Sequence, residues 1–346
     1  MAVDVVIATP LEDELVDRIR REVPEAHVSF DPTLMPTPRY PCDHRGDPHF
    51  SRSEDDERRW WKLLATAEVL FGLPGDTGRG LARIVRASSR LRWVQATAAG
   101  AGEQIREADL SAPERDRVCV TSAAGIHAGP LAEFALLGIL TFTKDLPRLR
   151  RYQRERRWDH SPVRELRGST LLVLGVGGIG LEVARLARSF GMYVLGVKRV
   201  PDAAPCVDEM HTVDALPDLA PRADAVVCTL PITEETRGVV SAEVIAALPP
   251  HCVFVNVGRG RVVDESALTE ALASGRLAGA ALDVFATEPL PAESPLWELD
   301  NVVVSSHTAA LSPHENTRIV DLFIDNLRRY VLGKPLRNRV DTTYFY

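Results

Sequence analysis

The chain has 346 residues, of which 45% are apolar and 26% charged, and its formal net charge is −7. This is the make-up of an ordinary folded protein, long enough for two domains with a core each, and the negative balance gives no electrostatic reason to expect nucleic acid as the main partner. Cys42, Cys119, Cys206, Cys228 and Cys252 are scattered and show no C-x-x-C spacing, which fits small buried thiols in a reducing compartment, with no metal expected. The longest apolar run, Leu131 to Phe142, is interrupted by Glu133 and is too short to span a bilayer. No basic stretch leading into an apolar one opens the chain, so the expectation is a cytoplasmic enzyme away from the membrane.

In chain order, Val3–Ala8 reads as a buried strand and Leu11–Val23 has helical spacing. Residues 31–58 are rich in Pro, Asp, Arg and His without a period, and read as a long exposed loop. Short strands follow at Glu68–Gly72, Trp93–Thr97 and Val118–Thr121, with a helical stretch at Leu81–Arg86. Leu131 to Leu140 is apolar nearly all round, which demands burial in a core or a subunit contact. The basic run from Arg148 to Arg157 reads as a solvated face or an interface flank rather than a nucleic-acid patch. Strands are then expected at 171–176, 193–198, 225–230, 252–257, 279–284 and 302–306, with helical segments between them, before a last helical pattern at Ile319–Leu327. Repeated strand–helix–strand units of this length imply parallel sheets covered on both faces, hence two doubly wound α/β domains.

Within this series, Gly175-Val176-Gly177-Gly178-Ile179-Gly180 follows the apolar run Leu171–Leu174 and opens the amphipathic stretch Leu181–Ala187. Strand, glycine turn and helix in that order form a dinucleotide site. The glycines allow a tight turn, backbone approach to a pyrophosphate and close helix-to-strand packing. The helix start supplies unpaired N–H groups and the positive end of its dipole.

Downstream come Asn256-Val257-Gly258-Arg259-Gly260, Val263-Asp264-Glu265, Ala281-Leu282-Asp283-Val284-Phe285, Glu288-Pro289-Leu290-Pro291 and Ser306-His307. Together with the glycine turn, these blocks resemble the D-isomer-specific 2-hydroxyacid dehydrogenase family over nearly the whole chain, most closely from Ser122 to Tyr330. The resemblance implies a Rossmann dinucleotide-binding domain, 122–308, inserted into a flavodoxin-like substrate domain, 1–121 and 309–346. It also implies that 123–160 is the dimerisation helix and arm of a homodimer.

Hydride transfer to a 2-oxo acid needs an anchor for the carboxylate, polarisation of the ketone and a proton for the nascent alkoxide. Arg259 suits the first two, because a planar guanidinium binds carboxylate through two parallel bonds and keeps its charge. Its neighbours Gly258 and Gly260 are read as letting ligand and backbone approach closely. His307, just past the strand ending at Ser306, matches the family's acid–base histidine, and Glu288 its catalytic glutamate. A carboxylate beside an imidazole orients the ring and keeps it protonated for reduction. Thr97-Ala98-Ala99-Gly100 resembles the family's carboxylate-binding loop, with backbone N–H groups from Ala99 and Gly100, and Leu73 matches a position bordering the substrate side chain.

At the end of the second nucleotide strand, NAD-preferring members carry an acidic residue, whereas this chain has Lys198 followed by Arg199. A cation there would pair with a 2′-phosphate, which favours NADP(H) over NAD(H); the alternative is a solvated pair with Asp202 reaching the ribose. Leu230, Pro231 and Val257 match positions lining ribose and nicotinamide, His307 borders the same ring, and Asp283 matches the partner of the carboxamide. The resemblance points to glyoxylate or hydroxypyruvate reduction. An NAD-dependent D-3-phosphoglycerate or D-lactate type dehydrogenase is the alternative within the family, and a dinucleotide-sensing corepressor or scaffold the alternative outside enzymes. Formate dehydrogenases of the superfamily carry Gln where this chain has Glu288, which disfavours that activity.

Overall fold

The computed structural model describes residues 2–341. Of these, the residues up to Ile126 and those from Leu311 onward form one compact unit, and His127–Ala310 form another. The expected substrate-domain segment 309–346 runs past residue 341, so its end, like Met1, lies outside the described residues.

Among the described residues, the first unit holds five strands: β1 (Val3–Ile7), β2 (Ala26–Ser29), β3 (Val69–Phe71), β4 (Trp93–Gln95) and β5 (Cys119–Thr121). All pair in parallel, in the order β2-β1-β3-β4-β5, the flavodoxin-like doubly wound order. The side chains of β1, β3 and β4 are almost all buried because helices cover both faces. Leu64, Leu81, Ile84 and Ile105 pack on one side, and Ile19, Ile319, Val320 and Phe323 on the other. The second group is drawn from both ends of the chain. Phe323, on helix Glu315–Val331, meets Phe71 edge-on at 5.0 Å and stacks on Trp93 at 5.2 Å.

The second unit holds β6 (Thr170–Leu174), β7 (Tyr193–Val197), β8 (Glu209–His211), β9 (Ala225–Cys228), β10 (Val253–Asn256), β11 (Gly279–Leu282) and β12 (Val302–Val304). Every pair is again parallel, in the order β12-β11-β10-β9-β6-β7-β8. Chain order reverses between β6 and β9, so the crevice at their carboxyl ends is the topological switch point where such sheets take ligands. Helix Ala128–Thr143 lies on this sheet, with Ala132, Ala135 and Ile139 in its core. A Cβ on Gly138 would come within 2.5 Å of Ala281 Cβ, and one on Gly279 within 2.5 Å of the Phe142 ring, so small residues set how closely helix and sheet pack. Leu137 on the opposite side of the helix remains 54% exposed.

Two expectations need correction. Residues 31–58 are not a bare loop: Pro32–Leu34 is a 3-10 turn and a helix begins at Glu54, with the Ser53 hydroxyl accepting from the Asp56 N–H at its start. Leu34, Met35, Cys42 and Asp43 are buried. The Asp43 carboxylate accepts from the N–H groups of Arg39 and Gly46 and from the Arg39 guanidinium, and these bonds hold it at about 2, below the ordinary carboxylate value. Long-range burial and a few side-chain bonds replace periodicity as the source of order there. The sequence reading also lacked the edge strands β2 and β8, whose half-exposed side chains form no apolar run. The run Arg148–Arg157 lies mostly in helix Leu146–Glu155. Arg148 pairs with Asp145 and Asp159, and Arg148, Arg151 and Arg157 lie over the Tyr152 ring.

Candidate active site

The glycine turn sits at the switch point of the seven-stranded sheet. Gly175 has φ 99°, and a Cβ there would come within 2.8 Å of Thr229 Oγ1 and 3.2 Å of Leu230 N. The Thr229 hydroxyl donates to Gly175 O at 2.6 Å, and its N–H donates to Leu174 O at 2.8 Å, so the two strand ends are tied side by side. Gly180 lies against Gly175 O, whereas a Cβ on Gly177 would meet nothing within 4 Å. Gly177 and Gly178 are exposed, Ile179 is half-buried, and helix Gly178–Ser189 starts there. The first bond back into the turn runs from Leu181 N to Gly177 O at 2.9 Å, leaving earlier amides free of the helical ladder. An open cradle, unpaired amides and a dipole end are what a pyrophosphate requires, so the residues fit a dinucleotide.

Lys198 follows β7, and its Nζ bonds Asp202 Oδ1 at 3.0 Å. Lys198 is half-buried and Arg199 exposed. That ion pair holds the Asp202 carboxyl below its ordinary range. Leu230 and Pro231 follow Thr229; Leu230 packs between Gly175 and Gly258, where a Cβ would meet Leu230 O at 2.6 Å. Val257 is buried and its N–H donates to Cys228 O at 3.0 Å.

The charged groups lie past the carboxyl ends of β10, β11 and β12. Asn256 cradles the arginine turn: its Oδ1 accepts from Gly258 N at 3.0 Å and its Nδ2 donates to Arg259 O at 3.2 Å. Arg259 Nη1 donates to Gly258 O at 2.8 Å. The flanking glycines also have a packing reason. A Cβ on Gly260 would fall 1.9 Å from Phe285 C and 2.4 Å from Ala286 N, so the arginine turn lies directly on the backbone leading to Glu288.

Glu288 and His307 form the central pair, with His307 Nδ1 2.8 Å from Glu288 Oε2. The other carboxylate oxygen accepts from Phe285 N at 3.0 Å. Burial pushes the Glu288 carboxyl up, but the bonds from His307 and Phe285, with the charges of His307 and Arg259, together hold it below its ordinary value. His307 is exposed and adopts φ 57°, a conformation that costs non-glycine residues about 1–3 kcal/mol and persists only when its surroundings over-determine it. Asp283 does so. Its Oδ1 accepts from Ser305 Oγ at 2.7 Å, Thr308 N at 2.8 Å and Ala309 N at 3.0 Å, while its carbonyl accepts from His307 N at 2.9 Å. The second unit therefore places Arg259, Asp283, Glu288 and His307 past the carboxyl ends of β10, β11 and β12, with the arginine turn packed on the backbone that leads to Glu288.

In the first unit, Ala99 and Gly100 are exposed in the turn between β4 and helix Gly102–Ala108. Leu73 is not available to a substrate in this arrangement: it is 1% exposed and packs in the core with Trp60, Leu70 and Leu81. The sequence assigns no role to Thr229, to Ser305 or, although it opens the Asn256–Gly260 block, to Asn256. Each lies beside a motif residue and was legible only as a polar group at a strand end.

Residues 136–309 match the family model described as D-isomer specific 2-hydroxyacid dehydrogenase, NAD binding domain. The chain is 31% identical to a glyoxylate reductase of Korarchaeum cryptofilum, over 75% of this chain and 79% of that protein. The chain belongs to the D-isomer specific 2-hydroxyacid dehydrogenase family. Homologues of this family are NAD(P)-dependent oxidoreductases, and the chain is an enzyme of that class. It is 33% identical to a D-3-phosphoglycerate dehydrogenase of Mycobacterium tuberculosis over 75% of its own length, but spans only 49% of that relative. Among solved structures, the family's D-isomer specific 2-hydroxyacid dehydrogenase from Xanthobacter autotrophicus Py2, in complex with NADPH and MES, aligns over 100% of both chains with 30% identity and TM-score 0.78. A family protein from Aeromonas salmonicida aligns over 99% of this chain and 100% of its own, with 28% identity and TM-score 0.74.

Proposed function

We propose that this dehydrogenase reduces a small 2-oxo acid to its D-2-hydroxy acid with NADPH, glyoxylate and hydroxypyruvate being the first candidates. The observation that carries the reading is the 2.8 Å bond between His307 and Glu288 past the carboxyl ends of the strands, where Arg259 also lies. When bound, the nicotinamide supplies the hydride. The chain's residues do the rest: Arg259 holds the substrate carboxylate and polarises the ketone, and His307 delivers a proton to the ketone oxygen as it becomes an alkoxide. Glu288 fixes the ring through Nδ1, leaving Nε2 to face the substrate. Asp283, whose Oδ1 already serves the His307 loop, is assigned to the carboxamide through its remaining oxygen, with Leu230, Pro231 and Val257 along ribose and nicotinamide. The roles of Ala99 and Gly100 rest on the family resemblance and on their exposure.

Preference for NADP(H) is supported by Lys198 and Arg199 at the end of β7 and by the NADPH held by the Xanthobacter relative. A homodimer through 123–160 is supported by Leu137, Leu146, Leu149 and Trp158, all exposed on that segment. Free thiols at all five cysteines support a reducing, cytoplasmic setting. The test is oxidation of NADPH and of NADH with a panel of 2-oxo acids, including glyoxylate, hydroxypyruvate, pyruvate and 3-phosphohydroxypyruvate. Turnover of the first two with NADPH preferred supports the proposal, and silence across the panel with both coenzymes removes it.

A further inference from the structure

Val263-Asp264-Glu265 stands out in the sequence yet has no part in the reaction described above. Asp264 caps helix Glu265–Ala273, its Oδ1 accepting from Ala267 N at 3.0 Å. Glu265 points elsewhere: its Oε2 accepts the Ala286 N–H at 2.7 Å. The carbonyl of the same residue, Ala286, accepts from Arg261 Nε at 3.1 Å. Ala286 is therefore gripped at both its N–H and its carbonyl, while Gly260 presses on Phe285 with no room for a single Cβ. Glu288, two residues further on, reaches back to the Phe285 N–H with one oxygen and to His307 with the other.

We infer that Glu265, with Arg261, is a positioning residue: it clamps the Phe285–Ala286 backbone so that the Glu288 carboxylate is presented to His307 in register with Arg259. Neither Glu265 nor Arg261 touches the reacting atoms in this scheme. Arg261 sits two residues from Arg259 and Glu265 at the head of the next helix, so the segment that carries the carboxylate anchor also holds the backbone that leads to Glu288. The catalytic part of this inference rests on the reductase reading; the clamp itself does not.

The charged groups facing Glu288 are His307 and Arg259, with Arg261 and Glu265 on the neighbouring turn and helix. Loosening the clamp weakens the Phe285 N–H bond that helps hold Glu288 low, so Glu288 would protonate at higher pH. The experiment uses the full chain with Glu265→Ala, Glu265→Gln and, in case the alanine variant folds poorly, the exposed Arg261→Ala. Two readouts separate the two proposals. The His307 ring-nitrogen resonances in ¹⁵N-histidine NMR without substrate, assigned with His307→Gln, report the Glu288–His307 bond whether or not the protein turns over any 2-oxo acid. In Glu265→Ala and Arg261→Ala they shift from their wild-type positions, and Glu265→Gln, which keeps an acceptor oxygen, returns them. Turnover on the 2-oxo acid panel gives the second readout. There kcat falls on the order of ten- to a hundredfold in Glu265→Ala, as a displaced catalytic group would dictate, the acid limb of the pH profile moves to higher pH, and NADPH Kd is unchanged. Unshifted nitrogen resonances in folded Glu265→Ala and Arg261→Ala would overturn the clamp. So would an equal loss in Glu265→Gln and Glu265→Ala, or a lowered melting temperature with an unmoved pH profile. An inactive wild type overturns the reductase reading alone.

Discussion

The two sheets share a device at their switch points and put it to different ends. After β3, Gly72 takes φ 86° and a Cβ there would meet Thr9, which follows β1, at 2.7 Å. After β6, Gly175 takes φ 99° and a Cβ would meet Thr229, which follows β9, at 2.8 Å. In each case a left-handed glycine lets two parallel strand ends lie flush with a threonine between them. In the second unit Thr229 turns its hydroxyl to the Gly175 carbonyl, and an exposed helix start follows. In the first, the Thr9 hydroxyl donates to His44 O at 3.2 Å, so the segment around Asp43 roofs the crevice. His44 is fixed in turn by Asn316 Oδ1 at 2.9 Å, and Asn316 by Glu12. Equal topology thus comes with different surroundings over the strand ends, a hydrogen-bonded segment in one unit and an exposed helix start in the other.

The sharpest test of the contrast is chemical. Alanine at His307 or Arg259, beyond the nucleotide sheet, is expected to lower kcat by about 10²–10⁴-fold in steady-state assays, whereas His44→Ala under the roof leaves kcat within a fewfold; near-normal rates for His307→Ala would break the assignment. A second test pits the two glycines against each other. Gly175→Ala and Gly72→Ala each lose about 1–3 kcal/mol in urea unfolding from backbone strain and crowding, but only Gly175→Ala weakens NADPH binding by calorimetry. Equal loss of NADPH affinity in both would dissolve the distinction.

The roof itself carries a pH signature. The Asp43 carboxyl lies at about 2 in the folded chain against about 3.9 unfolded. Because the folded value is the lower one, its contribution of about 2 kcal/mol is present above pH 4 and is lost as pH falls toward 2. Asp43→Asn is therefore expected to be less stable than wild type at pH 7, with the gap closing by pH 2–3; a constant gap would place its origin in packing. The smallest expected effect concerns the coenzyme. Lys198→Ala raises KM for NADPH about tenfold, one charge-assisted contact's worth, and leaves KM for NADH unchanged, while equal changes for both coenzymes would leave Asp202 as the ribose partner.

Much of the fold was legible because central parallel strands are buried on both faces and read as short apolar runs, as Leu171–Leu174 and Val253–Val255 do. Edge strands β2 and β8 were not, since Ala26-His27-Val28-Ser29 and Glu209-Met210-His211 are half solvated and carry no such run. The helix at Glu54–Ala65 had a visible start in Ser53 followed by four acidic residues, a capping signal outweighed by the Pro- and Asp-rich stretch before it. At the site, Arg259, Glu288 and His307 stood out by motif, but the reason for Gly258 and Gly260 did not. A one-dimensional pattern shows that a Cβ is missing, not which backbone fills its place.

The aromatic contact of Phe323 with Phe71 and Trp93 joins parts of the chain that leave the ribosome far apart in time. While His127–Ala310 is being synthesised, the sheet face bearing Val5, Ile7, Phe71 and Trp93 lacks the helix that covers it. The inserted unit, contiguous in sequence, has all its strands to hand as soon as β12 emerges, and domains fold as units during synthesis. The expected order of maturation follows: the nucleotide unit closes first, and the older, N-terminal part of its host waits, partly uncovered, for helix Glu315–Val331, with closure of so long a loop adding only slowly to the entropic cost.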